Sequence, residues 1–439
     1  MRAKKKLAPR ARGAVHGPGG PASGKLKPAI PPPARIRCPV SKTRPFSERC
    51  AERMGWIGTE TAFDVLAKAK ALEAQGRSIV HLEIGEPDFD TPENIREAAK
   101  RALDQNWTHY VPAPGIPELR HVIATEVART RNIPVDPRQV VVTPGGKPIM
   151  SFLIMTLCNP GDEIIYPNPG FPIYESMIRF MGGKAVPLPL REENDFRVDV
   201  DELKGLITKK TKLLIINSPH NPTGSVLTHE DLKGIAALAV KHDLIVLADE
   251  IYSRIIYDVP FESITQFPGM LERTVILDGF SKTYAMTGWR VGYGVMPVEL
   301  AQHIIRLMIN INSCTSAFSQ RACIEAIVGP QEDAHKMVAE FKRRRDIFVE
   351  GLCGIKGLSC YKPQGAFYVM PSVEGTGRSC QDIADRLLNE AGVAALSGTC
   401  FGEYGAGYVR FSYANSVENL QEALRRIERM LGRGRSCRL

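Results

Sequence analysis

Residues 212–250 read KLLIINSPHNPTGSVLTHEDLKGIAALAVKHDLIVLADE. Two short apolar runs, Leu213–Ile216 and Leu244–Ala248, flank a segment whose apolar residues recur at helical spacing. A strand without a polar face must be covered on both sides, the condition of a parallel sheet crossed by helices. Outward from this unit the pattern repeats. VVVT (140–143), EIIYP (163–167), KAVPLPL (184–190) and TVILDGFS (274–281) read as strands, IMSFLIMTL (149–157) and YESMIRFMG (174–182) as helices. The fold class is therefore α/β with a largely parallel sheet.

Toward the N-terminus, TAFDVLAKAKALEAQG (61–76) and PENIREAAKRALDQ (92–105) read as helices, and IVHLEIG (79–85) between them as a strand. After about residue 330 the texture changes. A long charged helix (331–352) leads into the antiparallel-looking strands LSCYKPQGAFYVMP (358–371) and YVRFSYA (408–414), which suggest a second α+β domain. The expected organisation is an N-terminal segment of the smaller domain at 46–85, a large domain at 86–325, the rest of the smaller domain at 326–431 and a basic tail at 432–439.

Residues 1–45 cannot bury a core: they are Pro, Gly, Ala, Lys and Arg with no apolar periodicity. Three readings stay open for them, namely a transit-like peptide, a solvated tail, and translated sequence upstream of the true start. Residues 1–47 hold 12 Lys and Arg and no acid, so subtracting those 12 from the net charge of +9 leaves −3 for the remainder. The basic balance therefore belongs to the tail and argues for no specific nucleic-acid partner. No run approaches the ~20 apolar residues a membrane helix needs. The 10 cysteines are scattered without zinc or disulfide spacing, which argues against a metal site and a disulfide framework and fits a reducing compartment, the cytoplasm. Cys158 and Cys323 lie in apolar runs and read as core residues.

In an open parallel sheet, ligands bind beyond the carboxyl ends of the strands, and four motifs sit there. Gly145-Gly146-Lys147 follows VVVT and precedes a helix, an arrangement that brings backbone N–H groups and a helix N-terminus to an anion. Asn221 stands in an Asn-Ser-Pro-His-Asn-Pro-Thr-Gly loop (217–224) whose two X-Pro units enforce a rigid turn. Asp249 ends the apolar strand LIVLA, where a carboxylate is costly unless it meets a cation or strong donor. Ser281, Lys282 and Arg290 follow TVILDGF, where a lysine can form a Schiff base to an aldehyde cofactor and an arginine can meet its phosphate.

Taken together, LEIGEPDFDTP, YVPAPGIPELR, VVVTPGGKP, NSPHNPTG, ADEIY, SKTYAMTGWRVGY, PQGAFYV and YVRFSYA, in this order, resemble the class I aminotransferases of the fold type I pyridoxal-phosphate (PLP) enzymes, over residues 46–431. Within them the resemblance is to the bacterial-type aspartate aminotransferase subgroup. It implies a mostly parallel seven-stranded sheet in the large domain, PLP as cofactor, and a homodimer. Lys282 then resembles the cofactor-bearing lysine and proton shuttle, and Asp249 the partner of the pyridine nitrogen. Tyr252 and Asn221 match the donors to the ring oxygen. Gly145, Gly146, Lys147, Ser281 and Arg290 match the phosphate cup, with Tyr110 reaching the phosphate from the neighbouring subunit. Arg410, helped by Gly85 and Asn221, matches the clamp on the substrate α-carboxylate. Phe171 falls where subgroup members often carry a stacking Trp, and this departure, with the apolar helix after Lys147, points to a permissive side-chain pocket.

The implied activity is ping-pong transfer of an amino group between an L-amino acid and a 2-oxo acid such as 2-oxoglutarate, with aspartate-type and broader donors. Lys282 must be neutral to act as a base, and nearby cations and Schiff-base conjugation are expected to lower its proton affinity. Two other readings share the scaffold: a PLP-dependent β-lyase or decarboxylase, and a regulator with a retired aminotransferase domain.

Overall fold

The computed structural model describes residues 44–433. Most of the tail expected at 1–45 and most of that at 432–439 fall outside the described residues. The chain divides into two units, Met1–Cys50 and Ala51–Leu439. The described part of the first holds one turn of 3-10 helix, Phe46–Glu48.

The second unit is organised by a seven-stranded sheet: β1 (Val140–Thr143), β2 (Glu163–Asn168), β3 (Lys184–Pro189), β4 (Thr211–Asn217), β5 (Ile245–Asp249), β6 (Thr274–Gly279) and β7 (Gly292–Val295). Their order across the sheet is β1-β7-β6-β5-β4-β2-β3. Strands β3, β2, β4, β5 and β6 pair in parallel, and β7 is antiparallel to both β6 and β1. Successive residues of β4 explain why the run is wholly apolar. Leu213 and Ile215 pack with Phe152, Leu153 and Ile304 on one face. Leu214 and Ile216 pack with Leu232, Ile235 and Ala239 on the other. Each side chain buried this way is worth about 1.5–3 kcal/mol. Cys158 is buried in the first of these cores and Cys323 in another, with Ile123 and Ala322.

The C-terminal part packs the long helix Glu332–Cys353 and the helix Val417–Leu431 against a three-stranded antiparallel sheet formed by Leu396–Ser397, Val409–Ser412 and Tyr368–Val369. Its strands are much shorter than the sequence pattern suggests. The expected strand over 79–85 shrinks to Val80–His81, which pairs in parallel with Val393–Ala394. Beyond it the backbone turns to side chains: the Glu83 carbonyl accepts from Arg410 and the Gly85 carbonyl from Lys282. Pro92 stands at the start of the helix Glu93–Asp104 as its N-cap. Among the described residues no helix is long and apolar enough to cross a membrane, and no group of three or more His, Cys, Asp or Glu is placed to hold a metal ion.

Candidate active site

The ends of β1, β4, β5 and β6 open into one cavity of about 530 Å³. Its wall includes Gly85, Gly146, Lys147, Phe171, Asn221, Asp249, Tyr252, Ser281, Lys282, Arg290 and Arg410, so eleven of the sequence-singled residues converge there. Strand register does part of this work, since Asn217 and Asp249 are paired at the ends of adjacent strands. Two residues stand elsewhere. Gly145 lies just behind the wall, against Arg290. Tyr110 is 89% exposed on the surface.

Asp249 is buried, and burial pushes its carboxyl up to about 6. Its Oδ2 accepts from Tyr174 Oη at 2.5 Å and its Oδ1 from the Ile251 N–H at 3.3 Å, both of which favour the ionised form. Tyr174 was not anticipated. It sits on the helix Ile173–Phe180, three residues past Phe171, and the two rings meet edge to face at 5.7 Å. The only advance signal was its place as the first residue of the helical segment YESMIRFMG (174–182), just past Phe171.

Lys282 follows β6 by three residues, and its ammonium donates to the Gly85 carbonyl. Its pKa falls to about 8, and the main cause is burial. The sequence reading gave that role to neighbouring cations and to conjugation. Arg410 and Arg290 do contribute, but after the opposing charges of Glu86 and Glu60. Gly85 is constrained by close approach, because a Cβ there would overlap the Tyr368 hydroxyl. Tyr368 is a second unanticipated member, brought in from the three-stranded sheet, and its Oη lies 2.8 Å from Tyr252 Oη.

Arg410 is buried, and burial pushes its pKa down. Nη1 donates to Asn221 Oδ1 at 3.3 Å and Nη2 to the Glu83 carbonyl, while Nε has no partner. Its guanidinium lies over the Tyr368 and Phe401 rings at 4.6 and 4.9 Å. No carboxylate pairs with it among the described residues. A buried, unpaired guanidinium is costly, and an incoming carboxylate is the ligand that satisfies it.

The β1–helix turn forms a cradle. Gly145 takes φ +85°, and a Cβ there would run into the Arg290 guanidinium. Gly146 caps the helix Lys147–Leu157, whose N-terminus meets the cavity. Such a glycine turn with Ser281 and Arg290 beside it suits an anion. Lys147 behaves differently from the cup residue expected of it: its ammonium pairs with Glu60 at 2.6 Å and lies 5.4 Å from the Phe171 ring centroid. The donor set fits PLP: a buried carboxylate for a ring nitrogen, a low-pKa amine for an aldehyde and a cradle for a phosphate.

Comparison with known proteins agrees. Residues 77–427 match the family model of aminotransferase class I and II. The chain is 43% identical to an aspartate aminotransferase of Pyrococcus abyssi over 84% of this chain and 94% of that one. It is 42% identical to aromatic-amino-acid aminotransferase 2 of Thermococcus litoralis over 82% and 93%. Its fold superposes on the aspartate aminotransferase of Thermus thermophilus solved with maleate, with a TM-score of 0.83, 39% identity, and coverage of 87% and 99%. The chain belongs to the class I and II aminotransferases. It is a fold type I enzyme that uses pyridoxal phosphate to transfer amino groups, and these relatives lend nothing to the lyase, decarboxylase or regulator readings.

Proposed function

We propose that the enzyme moves the amino group of acidic and aromatic L-amino acids to 2-oxoglutarate by a ping-pong course. The observation that carries this is a single cavity in which Arg410, paired with no carboxylate among the described residues, faces an apolar wall, Phe63, Ile84, Phe171 and Phe401, with Lys147 beside it as a cation not taken up by the aldehyde (Lys282) or the phosphate (Arg290). Arg410 binds the α-carboxylate common to every substrate. The apolar wall packs aromatic side chains, and Lys147, read from sequence as a phosphate-cup residue, meets a second carboxylate. A Thermus thermophilus aspartate aminotransferase variant has been solved complexed with tryptophan and the parent enzyme with maleate, which supports a pocket of this shape taking both kinds of ligand.

PLP supplies the electron sink that lets a proton leave the substrate Cα. The remaining roles belong to the chain. Gly145, Gly146, Ser281 and Arg290 hold the phosphate. Asp249, ionised by its hydrogen bonds, holds a proton at the ring nitrogen. Tyr252 and Asn221 orient the ring by its oxygen. Lys282 Nζ takes the Cα proton and returns it, and a pKa of about 8 keeps a useful neutral fraction at neutral pH. Both halves of the reaction use these residues.

A homodimer and a cytoplasmic location belong to the same proposal. The exposed ring of Tyr110 and exposed Ile309 and Ile311 support a partner surface, and a Tyr110 hydroxyl supplied across it would complete the phosphate site. The scattered cysteines fit a reducing compartment. The division into a large domain (86–325) and a small one (46–85 with 326–431) is supported by the span of the seven-stranded sheet and by the Val80–Val393 pairing. A panel of amino donors with 2-oxoglutarate tests the central point. Aspartate, phenylalanine and tyrosine should all react with 2-oxoglutarate, and glutamate with oxaloacetate or phenylpyruvate as acceptor; activity confined to one side-chain class contradicts the proposed pocket.

A further inference from the structure

Glu60 immediately precedes the helix Thr61–Glu73 and occupies its N-cap position, yet its side chain accepts nothing from that helix. A carboxylate at an N-cap ordinarily satisfies first-turn N–H groups and is favoured there by the helix dipole. Here the carboxylate turns instead into the cavity, where Oε2 sits 2.6 Å from Lys147 Nζ. Glu60, Thr61 and Phe63 form the cavity wall together with Lys147 and Phe171. The negative charge is felt further in, since Glu60 acts on Lys282, Arg410 and Tyr368 alike. An ordinary surface ion pair would have no such reach into a binding site.

The consequence follows from Coulomb's law. With Glu60 in place, the charge of Lys147 is already balanced. A neutral or aromatic side chain can pack against Phe171 and Phe63 and leave the pair intact. A second carboxylate must either share the ammonium, bringing two anions together, or send Glu60 out to water. An ammonium has three donors, so sharing is geometrically open, but the like-charge repulsion remains.

We propose that Glu60 is a specificity-determining residue: an internal carboxylate seated on Lys147 that a substrate's second carboxylate has to displace, biasing the enzyme away from dicarboxylic substrates and toward neutral and aromatic ones. This rests on the reading of Lys147 as the side-chain cation. Nothing covalent changes; the device is competition between two carboxylates for one ammonium. Because glutamate and 2-oxoglutarate both carry the second carboxylate, it acts in both halves of the reaction.

The test uses holoenzyme and the ratio of kcat/KM for glutamate to that for phenylalanine, which is insensitive to the fraction of active protein. Glu60→Gln keeps the shape and removes the charge. It should raise the ratio about twofold to fivefold, the scale of one partly exposed charge interaction. Glu60→Ala, which cannot reach Lys147, should raise it as well. Lys147→Met should lower the ratio, and adding Glu60→Gln to Lys147→Met should give no further rise. Equilibrium binding supplies a readout without turnover: maleate should bind Glu60→Gln more tightly relative to 3-phenylpropionate than it binds the unaltered enzyme. If Lys147→Met leaves the ratio where it was, the reading of Lys147 is wrong. If Lys147→Met lowers it but neither Glu60 variant raises it, the Lys147 reading survives and the proposal for Glu60 is overturned.

Discussion

Replacing Tyr174 by Phe removes one hydroxyl and leaves the ring in place against Phe171. The lost contact is the 2.5 Å hydrogen bond to Asp249 Oδ2, made where both residues are buried. A hydrogen bond to a charged group in such surroundings is worth about 1.5–3 kcal/mol. Asp249 keeps only the longer bond from the Ile251 N–H. Burial already pushes its carboxyl up to about 6, and the Tyr174 bond is the largest influence opposing that rise. Without it the carboxyl climbs further and is more often neutral at pH 7, so it holds the ring-nitrogen proton less well. At about 1.4 kcal/mol per factor of ten, the donor half-reaction should slow about tenfold to a hundredfold. The sign of the pH effect follows from the same argument. Asp249 must be ionised, so activity is lost as pH falls through its pKa, and raising that pKa moves the acid limb of the rate profile upward. Single-turnover kinetics with glutamate across pH 5–9, beside a thermal unfolding curve, measures both. A rate within about twofold of the unaltered enzyme with an unmoved acid limb would refute the role given to this pair.

Other consequences are more compact. Gly145→Ala places a methyl group against the Arg290 guanidinium at φ +85°, so the cofactor should dissociate more readily, and a PLP titration that superposes on that of the unaltered protein contradicts the cradle. In cofactor-free protein, Lys282 gains its neutral, reactive form as pH rises through about 8, so the rate of recombination with PLP should climb across that pH; a climb only near 10 would mean that the amine is not held down by burial. Arg410→Lys keeps the charge but loses the planar fork, so kcat/KM should fall together for acidic and aromatic donors, by at least about tenfold. A loss confined to one donor class would place Arg410 at the side chain instead.

The parallel sheet was legible because its strands are apolar on both faces, as Leu213–Ile216 shows, and because each break falls at a turn residue. Strand β7 escaped notice: in VGYGV two glycines dilute the β pattern. The small-domain strands were overdrawn because their flanks bond to loops and side chains instead of ladders. At the site, Asn221, Asp249 and Lys282 were legible because each lies at or just past the end of a strand, where topology alone delivers it to the cavity. Tyr174, Tyr368 and Glu60 were not. They arrive from a helix, from the second sheet and from the N-terminal segment, and local pattern carries no information about such approaches. Lys147 was read from its place in a glycine turn, but its ammonium goes to Glu60, a partner 87 positions away.

The central claim is that PLP is carried by Lys282. Purified holoenzyme reduced with borohydride and digested should yield one modified peptide, with the cofactor on Lys282, and Lys282→Ala should yield none. A cofactor fixed on Lys147 or any other lysine, or a Lys282→Ala protein that still transfers amino groups at the original rate, would contradict the account.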